Sequence, residues 1–368
     1  MKNICFFNKF KSWGGGEKWH YEACIFFLNQ GYNVSLIGHR NGQLLKKLEK
    51  IKKINTKKVT GRKYAYLNII TIFKMIYFFK KNKIELIIFN SEEDVKLGSF
   101  AAKLSRVKVQ VYRNGMPNYI KDENMKKLFQ NNIDKVFTNS FEGKQIMEEK
   151  NKFLRGKIDV VKNGIVFTES KKKMKSAQDT IILGNAARFD EQKDQKTILK
   201  ALKLLKESGI NFKFLIAGTG KLEEQLEEMK EKFKLTEVEF LGFLDNTSEL
   251  YEKIDLFILS SIFEGSSNAL IESMSFKNSV VVSDIKSNLE IIDNDAFGVS
   301  YKVGNSKDLF EKLYELIKSR ERLSEMKEKA YMRVENEYNY YNNMKKFENK
   351  LLIIYNEKNN FKLLESDY

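Results

Sequence analysis

Short apolar runs of strand length alternate, along the first half of the chain, with segments that carry apolar residues at helical spacing. The run Ile4–Asn8 is followed by the helical pattern Lys18–Asn29, and the alternation then repeats. It predicts a parallel sheet whose strands are joined by crossover helices. The further predicted strands are Asn33–Gly38, Ile84–Asn90, Val107–Tyr112, Lys135–Thr138 and Ile158–Val161, and the further predicted helices are Tyr66–Lys81, Asp94–Ser105 and Glu142–Asn151.

A second series of the same kind begins after the polar, lysine-rich segment Thr168–Asp179. Its predicted strands are Thr180–Ala187, Phe212–Ala217, Val238–Leu241, Asp255–Ser260, Ser279–Ser283 and Phe297–Tyr301, and its helices are Lys196–Ser208, Lys221–Phe233, Lys307–Ser319 and a tail over Glu321–Lys358.

We therefore predict an α/β protein with two tandem doubly wound, Rossmann-like parallel-sheet domains. The expected domains are residues 1–168 and 169–345, with a hinge at Asn163-Gly164. A last helix over residues 346–368 is expected to pack back toward the first domain. Two such domains should face a cleft, with ligands at the carboxyl ends of the strands.

Length and composition agree with this division. The chain of 368 residues is too long for one ordinary core, and 42% hydrophobic with 31% charged residues is typical of a globular protein. Cys5 and Cys24 are too few for a disulfide framework and lie in apolar runs, which favours a reducing compartment. The first residues lack the long apolar stretch of a secretory signal, so we expect a cytoplasmic protein.

Positive charge is concentrated in the first half of the chain. Residues 1–170 hold 33 lysine and arginine against 15 aspartate and glutamate residues, a net charge of +18. The excess is densest over Arg40–Lys63, just before the apolar segment Tyr64–Phe79, which is shorter than the ~20 residues of a spanning helix. This pattern fits docking on an anionic membrane surface, or a solvated lysine-rich loop. No nucleic-acid partner is expected, because no binding motif accompanies the charge.

Two carboxylates, Glu264 and Glu272, straddle the predicted start of a helix over Asn268–Phe276. A buried strand pattern precedes Glu264, and Ser266 or Ser267 can act as the N-cap. The backbone N–H groups of Asn268, Ala269 and Leu270 would then favour an anion such as a diphosphate. Two glutamates beside a phosphate cradle suit a ligand with hydroxyls on both sides of its phosphates. Either glutamate alone would more simply be a solvated surface residue.

Three further clusters follow predicted strands. The loop Gly14-Gly15-Gly16-Glu17 opens a helix, without the G-x-G-x-x-G spacing of a dinucleotide site. The segment Arg188–Lys193 places a guanidinium and an ammonium at a sheet edge, where both groups can bind phosphate. Small residues in Ala217–Gly220 keep the next strand end open. Each cluster could also be an ordinary loop.

Taken together, these motifs resemble the retaining glycosyltransferases of the GT-B fold, specifically glycosyltransferase family four, the group 1 family. The resemblance lies in motif order and spacing over nearly the whole chain. The matching positions are Gly14–Glu17, Asn163–Ile165, Arg188 with Lys193, Ala217–Gly220, Phe240–Gly242 and the Glu264–Glu272 block.

The resemblance implies a role for each site residue. Arg188 and Lys193 would bind the donor diphosphate and assist catalysis, Glu264 would contact the donor sugar as a catalytic residue, and Glu272 would bind the ribose hydroxyls. The other implied donor-binding residues are Gly15, Gly16, Gly218, Gly242, Phe243, Ser267, Asn268, Ala269 and Leu270.

One departure concerns a histidine that members often carry near the donor sugar. Arg113 stands in that place here, and the only histidines are His20 and His39. Arg113 can donate hydrogen bonds but cannot serve as a neutral base. With Glu17, it is expected near the sugar or the acceptor, which the first domain would hold.

The resemblance implies transfer of a sugar from a nucleoside diphosphate sugar, with uridine as the expected base, and with retention at the anomeric carbon. The basic first half favours, as a hypothesis, a glycan or lipid-linked acceptor of cell-surface polysaccharide or lipopolysaccharide, at the cytoplasmic face of the membrane. No cofactor and no metal are expected, because cationic side chains can stabilise the departing diphosphate. Two alternatives stay open: a nucleotide-sugar epimerase on the same fold, and a catalytically inactive, basic membrane- or RNA-associated binding protein.

Overall fold

The computed structural model describes residues 1–60, 68–167 and 180–365, with only the backbone described for residues 360–365. The chain divides into two compact units. Residues Met1–Asn163 and Tyr341–Tyr368 form the first, and Gly164–Tyr340 form the second. The predicted linker Thr168–Asp179 lies outside the described residues. No helix among the described residues is long and apolar enough to cross a membrane.

The first unit contains a seven-stranded parallel sheet in the order β3-β2-β1-β4-β5-β6-β7. Its strands are β1 Asn3–Asn8, β2 Asn33–His39, β3 Asn55–Val59, β4 Leu86–Phe89, β5 Val109–Asn114, β6 Lys135–Thr138 and β7 Ile158–Val160. Its helices are α1 Gly15–Asn29, α2 Gln43–Leu48, α3 Ile69–Lys81, α4 Glu92–Leu104, α5 Glu123–Asn132, α6 Phe141–Lys150 and, after the second unit, α14 Tyr340–Glu365.

Helices cover both faces of this sheet. Along β2, Ile37 belongs to the core that holds Met75 of α3, whereas the next residue, Gly38, lies against Leu45 of α2. Successive residues of a strand point to opposite faces, so α2 and α3 lie on opposite sides of the sheet. The helices that follow β3, β4 and β5 share one side, as the right-handed crossover rule requires.

The second unit contains a six-stranded parallel sheet in the order β10-β9-β8-β11-β12-β13. Its strands are β8 Ile181–Ala186, β9 Phe212–Ala217, β10 Val238–Gly242, β11 Leu256–Leu259, β12 Ser279–Ser283 and β13 Val299–Tyr301. Its helices are α7 Gln195–Glu207, α8 Glu223–Lys232, α9 Ser248–Lys253, α10 Asn268–Ser275, α11 Lys286–Ile292, α12 Ser306–Lys318 and α13 Arg320–Glu337. The prediction of two doubly wound parallel-sheet units is confirmed.

Three elements of the first unit escaped the sequence pattern: α2, β3 and α5. The strand Asn55–Val59 reads Asn-Thr-Lys-Lys-Val and lies at the sheet edge, where few apolar residues are needed. Its residues pair with Ser35–His39 of β2 all the same. Tertiary pairing, rather than local apolar alternation, therefore defines this strand.

The unit boundaries fall earlier than predicted, at 163/164 instead of 168/169 and at 340/341 instead of 345/346. Ile165 exchanges backbone hydrogen bonds with Tyr338 and Tyr340, which ties the start of the second unit to its end. A Cβ on Gly164 would lie 2.5 Å from Tyr340 Cα, so this approach requires glycine. The single predicted tail helix is two helices, α13 and α14, separated at Tyr338-Asn339.

Candidate active site

An ion pair between Lys193 and Glu264 joins the loops that follow β8 and β11. Lys193 Nζ donates to Glu264 Oε1, and the Ser261 hydroxyl donates to the same oxygen at 2.7 Å. The Glu264 side chain is 8% exposed and that of Lys193 19%. Both described contacts use Oε1, which leaves Oε2 to accept a hydrogen bond from a ligand hydroxyl.

Backbone groups hold the two loops together. Ile262 N–H donates to Gln192 O at 2.9 Å, and Gln192 Nε2 donates to Phe263 O at 2.9 Å. The buried Ser260 hydroxyl donates to Lys193 O at 2.6 Å. Because β8 and β11 are adjacent parallel strands, these contacts fix the Lys193–Glu264 pair at the carboxyl edge of the sheet.

Arg188 lies on the loop after β8 but takes no part in this pair. Its Nε donates to Asp190 at 2.5 Å, and its side chain is 67% exposed. Its carbonyl oxygen accepts from Gln195 Nε2 at 3.0 Å, so the backbone is held while the guanidinium faces solvent. This arrangement leaves the guanidinium accessible to an anionic ligand.

The helix α10 begins at Asn268 as predicted, and Ser267, rather than Ser266, is its N-cap. The Ser267 hydroxyl accepts from Leu270 N–H at 3.4 Å, so one of the three N–H groups expected to bind phosphate already has a partner. The positive end of the helix dipole nevertheless lies three residues after Glu264. Ala269 packs partly against the core of the second unit.

Glu272 lies in the second turn of α10 and is half-buried. Its Oε2 accepts hydrogen bonds from the hydroxyls of Thr247 at 3.3 Å and Tyr251 at 3.4 Å. Burial, and secondly the Glu272 carboxylate, hold the pKa of Tyr251 well above its usual value, so its hydroxyl remains a donor. Both distances are long enough for a better donor, such as a ribose hydroxyl, to compete.

Glycines let the loops after β8, β9 and β10 approach each other. Gly218 has φ +144, and a Cβ there would lie 1.9 Å from Ala187 O. Its N–H donates to Gly242 O at 2.8 Å, and Gly242 has φ +67. The following residue, Phe243, is 69% exposed, which leaves an aromatic surface beside this edge.

The first unit places its glycine loop at the carboxyl end of β1. Gly15 and Gly16 open α1, and a Cβ on Gly16 would lie 3.3 Å from Asn90 Oδ1. Glu17 is buried and accepts from Asn8 Nδ2 at 3.2 Å. Glu17 is thus held within the unit rather than exposed on the loop.

Arg113 is also buried. Its guanidinium lies over the Trp19 ring, 3.9 Å from the ring centroid, and donates to Asn163 Oδ1 at 2.7 Å. Burial lowers the pKa of Arg113 to about 9. Burial and, secondly, the neighbouring Arg113 hold the pKa of His20 well below its usual value, so this imidazole is neutral. The structure thus gives Arg113 a bound, packed position within the first unit.

Several contacting residues escaped the sequence analysis. The hydroxyls of Ser261, Thr247 and Tyr251 donate hydrogen bonds to the two glutamates, but nothing in their local sequence indicates this role.

Asp94, at the start of α4, is fully buried and accepts from Lys9 N–H at 3.1 Å and Ser91 Oγ at 2.7 Å. A capping signal, Ser91-x-x-Asp94, was available in the sequence for this last residue.

The two sheets, with a cationic and carboxylate cluster at the carboxyl edge of the second, define a two-domain α/β protein of the GT-B fold. Residues 166–333 match the family model of the glycosyl transferases group 1. This match supports a group 1 glycosyltransferase, as the motif resemblance predicted.

Similar proteins agree with this assignment. Over 158 residues, the chain is 32% identical to a Campylobacter jejuni N-acetylgalactosamine-N,N'-diacetylbacillosaminyl-diphospho-undecaprenol 4-alpha-N-acetylgalactosaminyltransferase, covering 42% of each protein. The chain spans about a third to two fifths of the curated relatives that it matches first.

Two solved structures share the fold over nearly the whole chain. A glycosyltransferase from Rickettsia africae superposes with a TM-score of 0.82 at 20% identity, covering 97% of this chain and 98% of that one. Anabaena Alr3699/HepE, solved in complex with UDP-glucose, gives a TM-score of 0.78 at 17% identity, covering 95% and 99%. At such identities the likeness establishes the fold alone.

Proposed function

We propose that this protein is a retaining glycosyltransferase. It moves a sugar from a nucleoside diphosphate sugar to a glycan or lipid-linked acceptor in the biosynthesis of cell-surface polysaccharide or lipopolysaccharide. The observation that carries the proposal is the Lys193–Glu264 pair, held at the carboxyl edge of the group 1 domain beside the start of α10.

The proposed donor site combines cationic groups with two carboxylates at the carboxyl edge of the second sheet. Lys193, the exposed guanidinium of Arg188 and the start of α10 provide positive potential for a diphosphate. Glu264 Oε2 accepts from a hydroxyl of the donor sugar, and Glu272 accepts from the ribose. Gly218 and Gly242 let the ligand approach the backbone, and Phe243 borders the base. We propose UDP as the carrier, since a structural neighbour was solved with UDP-glucose.

Charge stabilisation is the chemical task of this site. As the bond between the anomeric carbon and the diphosphate breaks, negative charge develops on the departing oxygen. Lys193 and Arg188 stabilise that charge where it forms, so we propose transfer without a metal cofactor. The acceptor hydroxyl attacks from the face of the leaving group, and the departing phosphate oxygen takes its proton. This route gives retention and needs no protein base.

The acceptor is proposed from a relative and from charge. The Campylobacter relative is named for an acceptor in which sugars are joined through a diphosphate to undecaprenol. A lipid-linked glycan of that kind would be met at the cytoplasmic membrane face. The first unit, with Glu17 and Arg113 at or near its carboxyl edge, is proposed to hold it.

A thermal-shift panel of nucleoside diphosphates and their sugars, with and without EDTA, tests the donor site. A ligand at about 100 times its dissociation constant should stabilise the protein by about 2.7 kcal/mol. We expect a shift with uridine nucleotides that persists in EDTA. A shift that appears only with divalent metal would contradict the metal-free proposal, and no shift with any nucleotide would contradict the donor site.

Release of nucleoside diphosphate then separates the candidate activities. A transferase releases it at speed only when a polyprenol diphosphate-linked glycan is added. An epimerase would instead change the sugar of the donor without acceptor, and an inactive binding protein would do neither. Proton NMR of the new anomeric centre distinguishes retention from inversion.

A further inference from the structure

The helix α3 presents a row of apolar side chains to solvent. Ile69, Ile70, Phe73 and Tyr77 are 64–67% exposed. They recur at the three- and four-residue spacing that places them on one face of the helix. The opposite face, with Met75, Phe78 and Phe79, is buried in the core of the first unit. This helix is therefore apolar on both its buried and its exposed faces.

The neighbouring helix α4 repeats the arrangement. Phe100 and Leu104 are 53% and 50% exposed, one turn apart, while Val95, Ala101 and Ala102 are buried in the same core as α3. The two helices contact each other on the same side of the sheet. Their outward rows thus belong to one side of the first unit. We call the exposed apolar residues of α3 and α4 the outer patch.

Lysines accompany the outer patch. Lys74, Lys80 and Lys81 of α3 and Lys103 of α4 are exposed. The helix α3 contains no acidic residue, and those of α4 are confined to its first turn, Glu92–Asp94. On the edge strand β3, Lys57 Nζ lies 5.6 Å from the centre of the Phe78 ring, beside the same helix. The surface around the apolar rows is therefore basic.

The basic run Arg40–Lys63, singled out from the sequence, is divided by the fold. Lys46 and Lys47 belong to α2, on the other side of the sheet from α3. Lys47 lies over Trp13, and Lys58 pairs with Glu49. The part of the run on α2 therefore cannot share a flat surface with the outer patch.

We propose that the outer patch docks on an anionic lipid bilayer, with its aromatic and aliphatic side chains in the headgroup region and its lysines on the lipid phosphates. Apolar residues flanked by lysines on surface helices are the requirements of interfacial binding. A second copy of the chain fits this surface less well, because a two-fold contact would place the lysines of one copy against those of the other. The inference concerns the first unit and does not depend on the donor site.

Vesicle flotation of the full chain tests the proposal directly. Phosphatidylcholine vesicles with phosphatidylglycerol should carry the protein to the top of the gradient at low salt, and vesicles without it should carry much less. A Lys74→Gln, Lys80→Gln variant should bind about fivefold more weakly for each lysine removed. Phe73→Ser should weaken binding about tenfold or more.

Matched variants on other surfaces serve as controls. Lys46→Gln with Lys50→Gln removes two exposed lysines of the basic run, at and just after α2, and Ile353→Ser removes a residue of α14 that is 56% exposed. Both should float like wild type. The thermal shift with nucleotide, measured on every variant, reports whether the second unit is folded and binds donor, so loss of that site is recognised separately.

Two results would overturn the proposal. One is equal flotation of wild type and the outer-patch variants, or no flotation of any of them. The other is a wild-type dimer in light scattering that Phe73→Ser converts to a monomer without loss of flotation, since the patch would then hold a second copy.

Discussion

Lys193 is the residue on which the donor site depends most. Its side chain is one-fifth exposed and pairs with the almost fully buried Glu264 side chain, which also accepts a hydrogen bond from the Ser261 hydroxyl. The Arg188 side chain is two-thirds exposed and pairs with Asp190 instead. The two cations should therefore differ in how much each supplies to transfer.

Replacing Lys193 by Met should lower the transfer rate about a hundredfold, because a charge aimed at the departing diphosphate is lost. Arg188→Ala should raise the KM for donor about tenfold, with a smaller effect on kcat, since an exposed side chain contributes less. Steady-state kinetics at subsaturating donor measure both.

Lys200→Ala, an exposed lysine of α7, is the control and should leave both constants unchanged. Unchanged transfer in Lys193→Met or in Arg188→Ala would remove that residue from the mechanism.

Asp94 should make the stability of the first unit depend on pH. Burial raises the pKa of Asp94 from its usual 3.8 to about 7. Between those values the folded state holds a proton that the unfolded state releases. The contribution of Asp94 to the free energy of unfolding is therefore fully present below pH 3.8 and is lost as the pH rises through about 7. The total loss is about 4 kcal/mol.

Asp94→Asn should remove this dependence, because an amide oxygen can still accept from Lys9 N–H. From about pH 5.5 to about pH 8.5, wild type should lose free energy of unfolding relative to the variant. Urea titration followed by fluorescence measures it, since both tryptophans, Trp13 and Trp19, lie in the first unit. The control is Glu93→Gln, which removes the exposed carboxylate that pairs with Lys9. Parallel pH curves for wild type and Asp94→Asn would contradict the raised pKa of Asp94.

At the scale of elements, the site depends on loops that approach more closely than side chains allow. The loop after β9 contacts the loop after β8 through Gly218 and Gly220, whose positions a Cβ could not occupy without meeting backbone at 1.9 Å and 2.3 Å. A side chain at either position would push the two loops apart. The strand ends that carry Arg188 and Lys193 are thereby held against the next strand of the sheet.

Gly218→Ala should destabilise the second unit by about 3 kcal/mol or more, because backbone must shift and φ is unfavourable. Gly209 also has a positive φ, +78, but open space around an added Cβ, so Gly209→Ala should cost only about 1 kcal/mol. Calorimetry of both variants measures the difference, and nucleotide binding should be weakened in the first alone. Equal effects would mean that the loop contact does not matter.

On the scale of the whole molecule, the chain returns to its first unit at its end. The helix α14 buries Phe347 against Trp19, Phe27 and Phe137, with ring centroids 5.4, 6.3 and 5.0 Å away. Tyr32 also donates to Glu348 at 2.8 Å. Residues separated by more than two hundred positions thus complete one core.

Phe347→Ala should lower the stability of the first unit by about 3–5 kcal/mol, because a large buried ring leaves a cavity. Tryptophan fluorescence in urea should show an earlier transition, while nucleotide binding at the second unit should persist before that transition. Ile353→Ser, exposed on the same helix, should leave the midpoint unchanged. Loss of nucleotide binding together with fluorescence would mean that the two units unfold as one.

Local pattern was enough to predict most of the elements. The strands Lys135–Thr138, Phe212–Ala217 and Ser279–Ser283 have the predicted bounds, because a buried parallel strand needs a continuous apolar run. The edge strand β3 needs none and was missed. The tail pattern predicts one helix, because the break at Tyr338-Asn339 depends on pairing with the distant Ile165 and not on the local sequence.

The candidate site was predictable as a set of residues and not as an arrangement. Glu264 and Lys193 are indicated because each follows a predicted strand, but they are 71 positions apart in the sequence, so their contact could not be predicted. Arg113 was expected beside the sugar, and the structure packs it on Trp19 and bonds it to Asn163. Such partners come from separate elements that only the fold brings together.

By itself, the sequence determined the order of strands and helices, the two-unit plan and the motif residues, since hydrophobic period and spacing act over a few residues. The return of the last helix to the first unit was also predicted. Only the tertiary structure decided which charges meet, which lysines share a surface with the outer patch, and which rings Phe347 contacts in the first core. These outcomes depend on the sheet order and on which face each helix covers, and both arise from contacts between segments far apart in the chain.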